Sequence, residues 1–559
     1  KNYMGKQLCE DCKGYKINGE AREIKIAGKH IGELAMITID ELIPHLESLT
    51  DDDIQSPQGK AMIEMVLQAL IRMSKVGISY LHLHRAMPTL SGGELQRLSL
   101  MTHLDGGLDS LVYILDEPSM SLHEKEKDAL IEILQQLRDL GNTVIIVEHD
   151  KRFIEIADEI IDMGPGAGIH GGEIVYQGLI KGLLKCKESH TGRFLNGDLS
   201  LPSKNIEERK EIGENTPILT IRNANTHNLQ DIRTDIPLGM MVGIAGVSGS
   251  GKSSLVLDTM VPLLKPHFKR GKKKSKKKKK HSEEEENGGD LDDYSGLLEG
   301  WKHLDNFVVV DQKPISRVRT STPCTYIKIW SKIRRLFAKT KQAKELGFTA
   351  GHFSYNSSKG RCPSCKGQGI KDLQISFLSE FTIPCRECKG KRYIPEVLEV
   401  KYKGKTITDV LEMTVSEAYQ LFKSHRSISK VLKVLDEIGM GYITLGQPSP
   451  TLSGGEAQRV KLAKELGKTR KGHTLYILDE PTVGLSFYDA VKLMELLEKL
   501  VQEGNSVLII EHDPDILSFC DYLIELGPGG GPKGGKVIAM GAPEAIKEDR
   551  GSNTAPYLS

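Results

Sequence analysis

The sequence predicts an α/β fold with a mostly parallel sheet, arranged as two tandem modules of which the first is incomplete. Three observations carry this reading. First, a set of motifs occurs twice. Leu90-Ser91-Gly92-Gly93-Glu94 recurs as Leu452-Ser453-Gly454-Gly455-Glu456, Tyr113-Ile114-Leu115-Asp116-Glu117-Pro118 as Tyr476-Ile477-Leu478-Asp479-Glu480-Pro481, and Glu148-His149-Asp150 as Glu511-His512-Asp513. Second, short apolar runs that end in polar residues alternate with segments of helical periodicity, the pattern of a sheet with crossover helices. Third, the glycine-rich run Gly246-Val247-Ser248-Gly249-Ser250-Gly251-Lys252-Ser253 occurs once, in the second repeat alone.

Each element follows from local sequence. Met241-Val242-Gly243-Ile244-Ala245 is an apolar run suited to a buried strand, the glycine-rich run follows it, and Lys252 onward reads as a helix. Leu475-Tyr476-Ile477-Leu478 is a strand ending in Asp479 and Glu480, and Ser506-Val507-Leu508-Ile509-Ile510 is a strand ending at Glu511 and His512. Between these, Leu493, Leu496, Leu497, Leu500 and Val501 recur at helical spacing, with Gly504 as a C-terminal stop. The repeat extends upstream: Cys9-Glu10-Asp11-Cys12-Lys13-Gly14 matches Cys385-Arg386-Glu387-Cys388-Lys389-Gly390, Gly28-Lys29 matches Gly404-Lys405, and Thr38 matches Thr414. Continued further, this register puts the first counterpart of the glycine-rich run before Lys1. The sequence, which opens Lys1-Asn2-Tyr3 without a Met, therefore reads as starting inside the first module. The expected divisions are 1–75, a remnant of a first inserted module; 76–200, the C-terminal half of the first repeat; 214–320, the glycine-rich half of the second; 321–440, an inserted cysteine-bearing module; and 441–559, the remainder of the second repeat.

Bulk properties bound the function. The 559 residues imply several domains, and 76 Lys and Arg against 75 Asp and Glu leave no global charge to draw a polyanion, so any nucleic-acid affinity needs local patches. No apolar run reaches the ~18 residues of a membrane span, and no secretory leader is visible. The Cys-x-x-Cys pairs point to metal ligands in a reducing, cytoplasmic setting rather than to a disulfide framework.

The glycine-rich run fits a phosphate-binding loop, because it joins a strand to a helix N-terminus. Gly246, Ser248, Gly249, Ser250 and Gly251 let backbone N–H groups converge on phosphate oxygens, and Lys252 reaches the outer phosphates. Ser253, with Ser254 beside it, and Asp479 would hold Mg²⁺, Glu480 would polarise the attacking water, and His512 would contact the γ-phosphate of ATP. Gln312, in Val310-Asp311-Gln312-Lys313-Pro314, is a candidate sensor of water and Mg²⁺.

The Leu-Ser-Gly-Gly-Glu motif places N–H groups at a helix start, another anion-binding device. It resembles the signature of ATP-binding-cassette ATPases, in which the signature of one module faces the phosphate loop of the other. That resemblance implies one complete composite site here. It pairs the second module's loop, Gln312, Asp479, Glu480 and His512 with Ser91, Gly92, Gly93 and Glu94 of the first. The reciprocal site retains Asp116, Glu117, His149, Ser453, Gly454 and Gly455 but no loop.

Cys362, Cys365, Cys385 and Cys388 have the spacing of a tetrahedral four-thiolate Zn²⁺ site, which leaves no open position and is therefore structural. Lys359, Arg361, Lys366, Lys389, Lys391 and Arg392 surround them, with Tyr393 adjacent, and mark a candidate DNA contact. Cys9 and Cys12 resemble the second half of an equivalent module. The basic run 269–280, followed by acidic residues, cannot build a core and is expected to be a disordered, self-neutralising loop within 268–296.

Taken together, Gly246 to Ser253, Gly360-Arg361-Cys362, Cys388-Lys389-Gly390-Lys391-Arg392-Tyr393, the stretch from Gly441 to Ala463 and Gly164-Pro165-Gly166-Ala167-Gly168-Ile169-His170-Gly171-Gly172 resemble the UvrA family of excinuclease DNA-repair ATPases over nearly the whole chain. The resemblance implies two cassette ATPase modules with inserted zinc modules, ATP, Mg²⁺ and Zn²⁺ as cofactors, and a cytoplasmic homodimer. Such a dimer senses damaged double-stranded DNA in nucleotide excision repair without cutting it, and passes lesions to a helicase-like UvrB partner. Two readings compete: a paralogue for self-resistance to DNA-binding drugs, and the energy subunit of a transporter. The sequence departs from the family's usual Gly-Leu-His after each acidic strand, with Ser121-Leu122-His123 and Gly484-Leu485-Ser486.

Overall fold

In a computed structural model the chain is described over residues 9–558, apart from 51, 52, 55, 88, 89, 91–93, 96, 100–109, 121, 167, 169, 170, 200–203, 205–208, 269–295, 374–380 and 469. The charged run and Ser91, Gly92 and Gly93 lie outside the described residues. The chain forms two compact units that cut across the two repeats. One comprises Lys1–Ile156, Ser203–Asn306 and Gly504–Ser559; the other comprises Ala157–Pro202 and Phe307–Glu503.

In the first unit, the strands Ser506–Ile510, Met241–Gly246 and Tyr522–Gly527 lie side by side and parallel, and Lys536–Gly541 closes against the last of them antiparallel. Met241–Gly246 and Ser506–Ile510 are buried along their whole length. Sheets covered on both faces read as continuous apolar runs rather than alternating ones, which is why these strands carry Val, Ile, Leu and Met without interruption. A three-stranded antiparallel sheet, Leu297–Glu299, Ile218–Ala224 and Ile232–Pro237, completes the phosphate-loop half.

The first repeat contributes a parallel pair to the same unit, Val112–Asp116 with Thr143–Val147, joined through the helix Glu124–Asp139. This pair is covered on one face. Tyr113 packs with Ile78, Leu130, Leu134 and Leu137, whereas Val112, Ile114, Ile145 and Val147 are exposed. The sequence of Val112–Asp116 does not itself alternate, so the alternation of burial reflects what lies against the strand.

The strand Asn306–Val310, which enters the second unit at Phe307, lies beside Thr474–Asp479, which is buried throughout except at Asp479. The helices Gly454–Leu466 and Phe487–Gln502 belong to that unit; Leu493, Leu497, Leu500 and Val501 are buried as the periodicity predicts, and Gly504 takes the left-handed conformation after the helix. The inserted cysteine-bearing region has its own core of Trp330, Phe337, Phe353, Tyr355, Tyr393, Val397 and Phe422. A hairpin, Ile370–Leu373 with Phe381–Pro384, carries both cysteine pairs at its open end, one beside each strand. Among the described residues no helix is long and apolar enough to cross a membrane.

The two copies of the acidic strand give a matched test. Ile477 is fully buried, and its repeat counterpart Ile114 is 71% exposed. Ile477→Ala should lower unfolding stability by about 2–5 kcal/mol, and Ile114→Ala by no more than about 0.5 kcal/mol, as measured by denaturant unfolding.

Candidate nucleotide site and zinc module

The phosphate loop leaves its strand at Gly246, whose φ of +134° brings it against the neighbouring strand: a Cβ there would lie 2.1 Å from the Leu526 carbonyl oxygen. The helix that follows begins at Lys252. Lys252 is 6% exposed, and its Nζ donates to the Gly246 and Val247 carbonyls at 2.8 and 2.9 Å, so the amine is folded over its own loop. Asn228 Nδ2 donates to the carbonyls of Gly249 and Gly531 and holds the loop from outside. Ser250 Oγ is buried without a hydrogen-bond partner among the described residues. A buried hydroxyl without a partner is costly unless a ligand completes it, and a glycine-lined helix start with a lysine over it fits nucleotide phosphates.

Residues of the first repeat stand beside this loop in the same unit. The Tyr80 hydroxyl donates to Glu94 Oε1 at 2.6 Å and lies 3.4 Å from Ser248 Oγ. Arg85 Nη2 approaches Glu94 Oε2 at 3.6 Å. The Ser248 N–H faces Glu126 Oε2 at 3.4 Å. His123 caps the helix Glu124–Asp139 and contacts Thr554 Oγ1 at 3.4 Å. Burial first, then the nearby charges of His512 and Lys252, push His123 down to about 3, so its imidazole is neutral. Its counterpart Ser486 caps the helix Phe487–Gln502. The third position of each motif therefore caps a helix, through His123 in one copy and Ser486 in the other. His512 follows the strand Ser506–Ile510, is 8% exposed, and donates its backbone N–H to Glu511.

The strand ends of the first repeat are arranged in the same way. Glu117 follows its strand at φ +45°, with His149 Nε2 3.9 Å from its carboxylate, and Glu148 accepts from the backbone N–H groups of Ser119, His149 and Asp150.

In the second unit, Asp479 ends its strand, and Glu480 follows at φ +46°. A left-handed non-glycine residue costs about 1–3 kcal/mol, and such strain concentrates at functional sites; both repeats place a glutamate there. Gln312 Nε2 donates to Glu480 Oε2 at 3.2 Å, so the candidate sensor touches the candidate base. Gln458, which has no sequence signature of its own, donates to the Asp479 carbonyl at 2.6 Å and ties the signature helix to the acidic strand end. Ser453 caps the helix Gly454–Leu466 reciprocally with Glu456. Gly455 lies so close to the following loop that a Cβ would sit 2.5 Å from the Val483 carbonyl.

The four cysteines converge. The Sγ atoms of Cys362, Cys365, Cys385 and Cys388 all lie within 4.8 Å of one another, with 4.0 Å from Cys362 to Cys385 and 3.7 Å from Cys365 to Cys388. A zinc tetrahedron with bonds of about 2.3 Å has sulfur–sulfur edges of about 3.8 Å, so the set fits Zn²⁺. Lys366 and Lys389 take left-handed conformations before Gly367 and Gly390, which turns each knuckle back. The N–H of Cys388 pulls the Cys385 thiol down to about 6, while burial pushes Cys388 up to about 12. Lys13 and Gly14 repeat the same left-handed pair after Cys9 and Cys12.

The basic residues separate into two kinds. Lys359, Lys366, Lys389 and Lys391 are exposed. Arg361 is half-buried, its residue bridged to Tyr393. Arg392 is turned inward, donating to the Gly446 carbonyl at 3.0 Å with its guanidinium over the Tyr355 ring.

No family model matches this chain. It is 43% identical over 559 residues to UvrABC system protein A of Thermus thermophilus, covering 100% of this chain and 56% of that protein. It is 42% identical over 556 residues to the Bacillus subtilis protein of the same name, covering 56% of it. The crystal structure of UvrA2 from Deinococcus radiodurans superposes with a TM-score of 0.88 at 38% identity, over 98% of this chain and 65% of that one. The chain thus spans a little more than half the length of the curated relatives it matches. Its fold is that of the ATP-binding-cassette ATPases, with an inserted four-cysteine module. Within that class, the chain is similar over its whole length to UvrABC system protein A.

Cys385→Ser removes one of four thiolates. Zinc content, measured by elemental analysis of purified protein, should fall from about one per chain to well under half.

Proposed function

We propose that this chain binds and hydrolyses ATP between cassette modules and uses that cycle to recognise damaged or distorted double-stranded DNA in nucleotide excision repair. The observation that carries the reading is the approach of the first repeat's signature to the second repeat's phosphate loop, through Tyr80, Glu94 and Ser248. The similarity to UvrABC system protein A supports the repair role.

In this reading the loop from Gly246 to Ser254 binds the phosphates, Lys252 swings from its own carbonyls to the outer phosphates, and Ser253 and Asp479 hold Mg²⁺, which supplies charge neutralisation. Glu480, oriented by Gln312, takes a proton from the attacking water, and His512 contacts the γ-phosphate. Ser91, Gly92, Gly93 and Glu94 close on the nucleotide from the other module. Asp116, Glu117 and His149, with Ser453, Gly454 and Gly455, serve the reciprocal site. The four cysteines hold Zn²⁺ and stiffen a module whose exposed Lys359, Lys389 and Lys391 contact DNA phosphates, with Arg361 beside them. Arg392 acts in this module as a structural tie, because its guanidinium is already engaged. Selection of lesions would rest on the lower cost of bending or untwisting a damaged duplex. A homodimer, a helicase-like UvrB partner and a cytoplasmic setting follow from the family. The modular divisions at 1–75, 76–200, 214–320, 321–440 and 441–559 belong to the same proposal.

Glu480→Gln should retain ATP binding while turnover falls by about 100-fold or more; unchanged steady-state hydrolysis would remove Glu480 from the chemistry. Lys389→Glu with Lys391→Glu should weaken duplex binding and flatten its salt dependence, by a slope of about 0.9 for each phosphate no longer neutralised. A salt titration by fluorescence anisotropy on intact and adducted duplexes reads this out, and equal affinity for the two duplexes in the unmutated chain would contradict the damage-recognition role.

A further inference from the structure

We infer that Tyr80 is a positioning residue that links the phosphate loop of the second module to the signature helix of the first, with its hydroxyl set between Ser248 and Glu94. This rests on the nucleotide site proposed above and assigns it a coupling residue.

The geometry is tight. The hydroxyl donates to Glu94 Oε1 at 2.6 Å and stands 3.4 Å from Ser248 Oγ, inside the phosphate loop. Glu94 is 5% exposed and Arg85 lies on its other oxygen, so the carboxylate is held from both sides. The ring is clasped by glycines: a Cβ at Gly249 would lie 2.9 Å from Tyr80 Cε2, and one at Gly530 would lie 3.0 Å from Cδ1. Any larger residue at either position would push the ring away. Burial and the adjacent Glu94 hold the phenol well above its ordinary range, so it stays a proton donor. Ser248 is met from a second direction by Glu126, also of the first repeat. A shift of the loop on taking up phosphate therefore moves the group that holds Glu94.

The second repeat builds the same device. Tyr442 donates to Glu456 Oε1 at 2.6 Å, with the same sequence spacing as Tyr80 to Glu94. There Glu456 also accepts from the Ser453 N–H, while Ser453 Oγ accepts from the Glu456 N–H, so the tyrosine grips the residue that fixes the start of the signature helix. Tyr442 abuts Gly168, where a Cβ would lie 2.3 Å from its own Cβ. Gly168 lies in Gly164-Pro165-Gly166-Ala167-Gly168, the repeat counterpart of Gly527-Pro528-Gly529-Gly530-Gly531. In each case a tyrosine of one repeat packs on a glycine loop of the other and ties its hydroxyl to its own signature glutamate. A ring that only filled space would not need a hydroxyl bonded to the signature glutamate in both copies.

The test is Tyr80→Phe in the whole chain, which keeps the ring and removes the hydroxyl. Binding of a fluorescent ATP analogue and steady-state hydrolysis are measured together. The expected result is a kcat lowered about tenfold or more, the scale of a lost hydrogen bond to a charged group, with KM and the analogue's Kd within about twofold. Ser248→Ala added to Tyr80→Phe should lower kcat little further, because both remove one link. An unchanged kcat, a weakened Kd at unchanged kcat, or losses that multiply in the double variant would each overturn the inference. If Tyr80→Phe does not fold, as judged by melting and zinc content, Glu94→Leu, which removes the acceptor, carries the same expectation for kcat. An unmutated chain that binds no ATP would overturn the nucleotide site and this inference with it. An active unmutated chain matched by Tyr80→Phe would overturn this inference alone.

Discussion

Burial of a parallel sheet on both faces is the constraint from which the site follows. Strands such as Met241–Gly246 and Ser506–Ile510 are enclosed along their length, so they tolerate no charge inside. Polar chemistry is displaced to the strand ends. Asp479 and Glu480, Glu511 and His512, and the loop after Gly246 all stand at such ends. Carboxylates sit where the apolar run stops because a polar group inside the enclosed run would lose its hydration.

The same constraint explains the first repeat. Its acidic strand is as apolar as the second's, yet Val112 and Ile114 are exposed because no described residue covers that face of the strand pair. The polar end of the strand is nevertheless formed, with Glu117 left-handed and Glu148 collecting three backbone N–H groups. Local backbone geometry is enough to shape the strand end; packing of the sheet face is a separate matter.

The four-cysteine module stands on different physics. Its four thiols converge through turns that left-handed Lys366, Lys389 and the following glycines permit, while a separate aromatic core of Trp330, Phe353, Tyr355 and Tyr393 supports them. Arg392 belongs to that support, stacked on Tyr355, while Lys359, Lys366, Lys389 and Lys391 stay exposed. A cluster of cations in sequence is thus divided by the fold into structural and available members.

The repeated motifs, the phosphate loop between strand and helix, the strand-ending acids and the paired cysteine knuckles were legible in the sequence. Each is a local pattern whose backbone geometry its own residues dictate. Gln312 was readable only as a lone candidate, and its contact with Glu480 joins positions 168 residues apart. Tyr80, Tyr442 and Gln458 carried no role in sequence, since a tyrosine or glutamine has no signature until its partner is brought to it. The inward turn of Arg392 was likewise invisible. Long-range hydrogen bonds and one-sided burial are properties of what packs against a residue, and only the tertiary structure decides them.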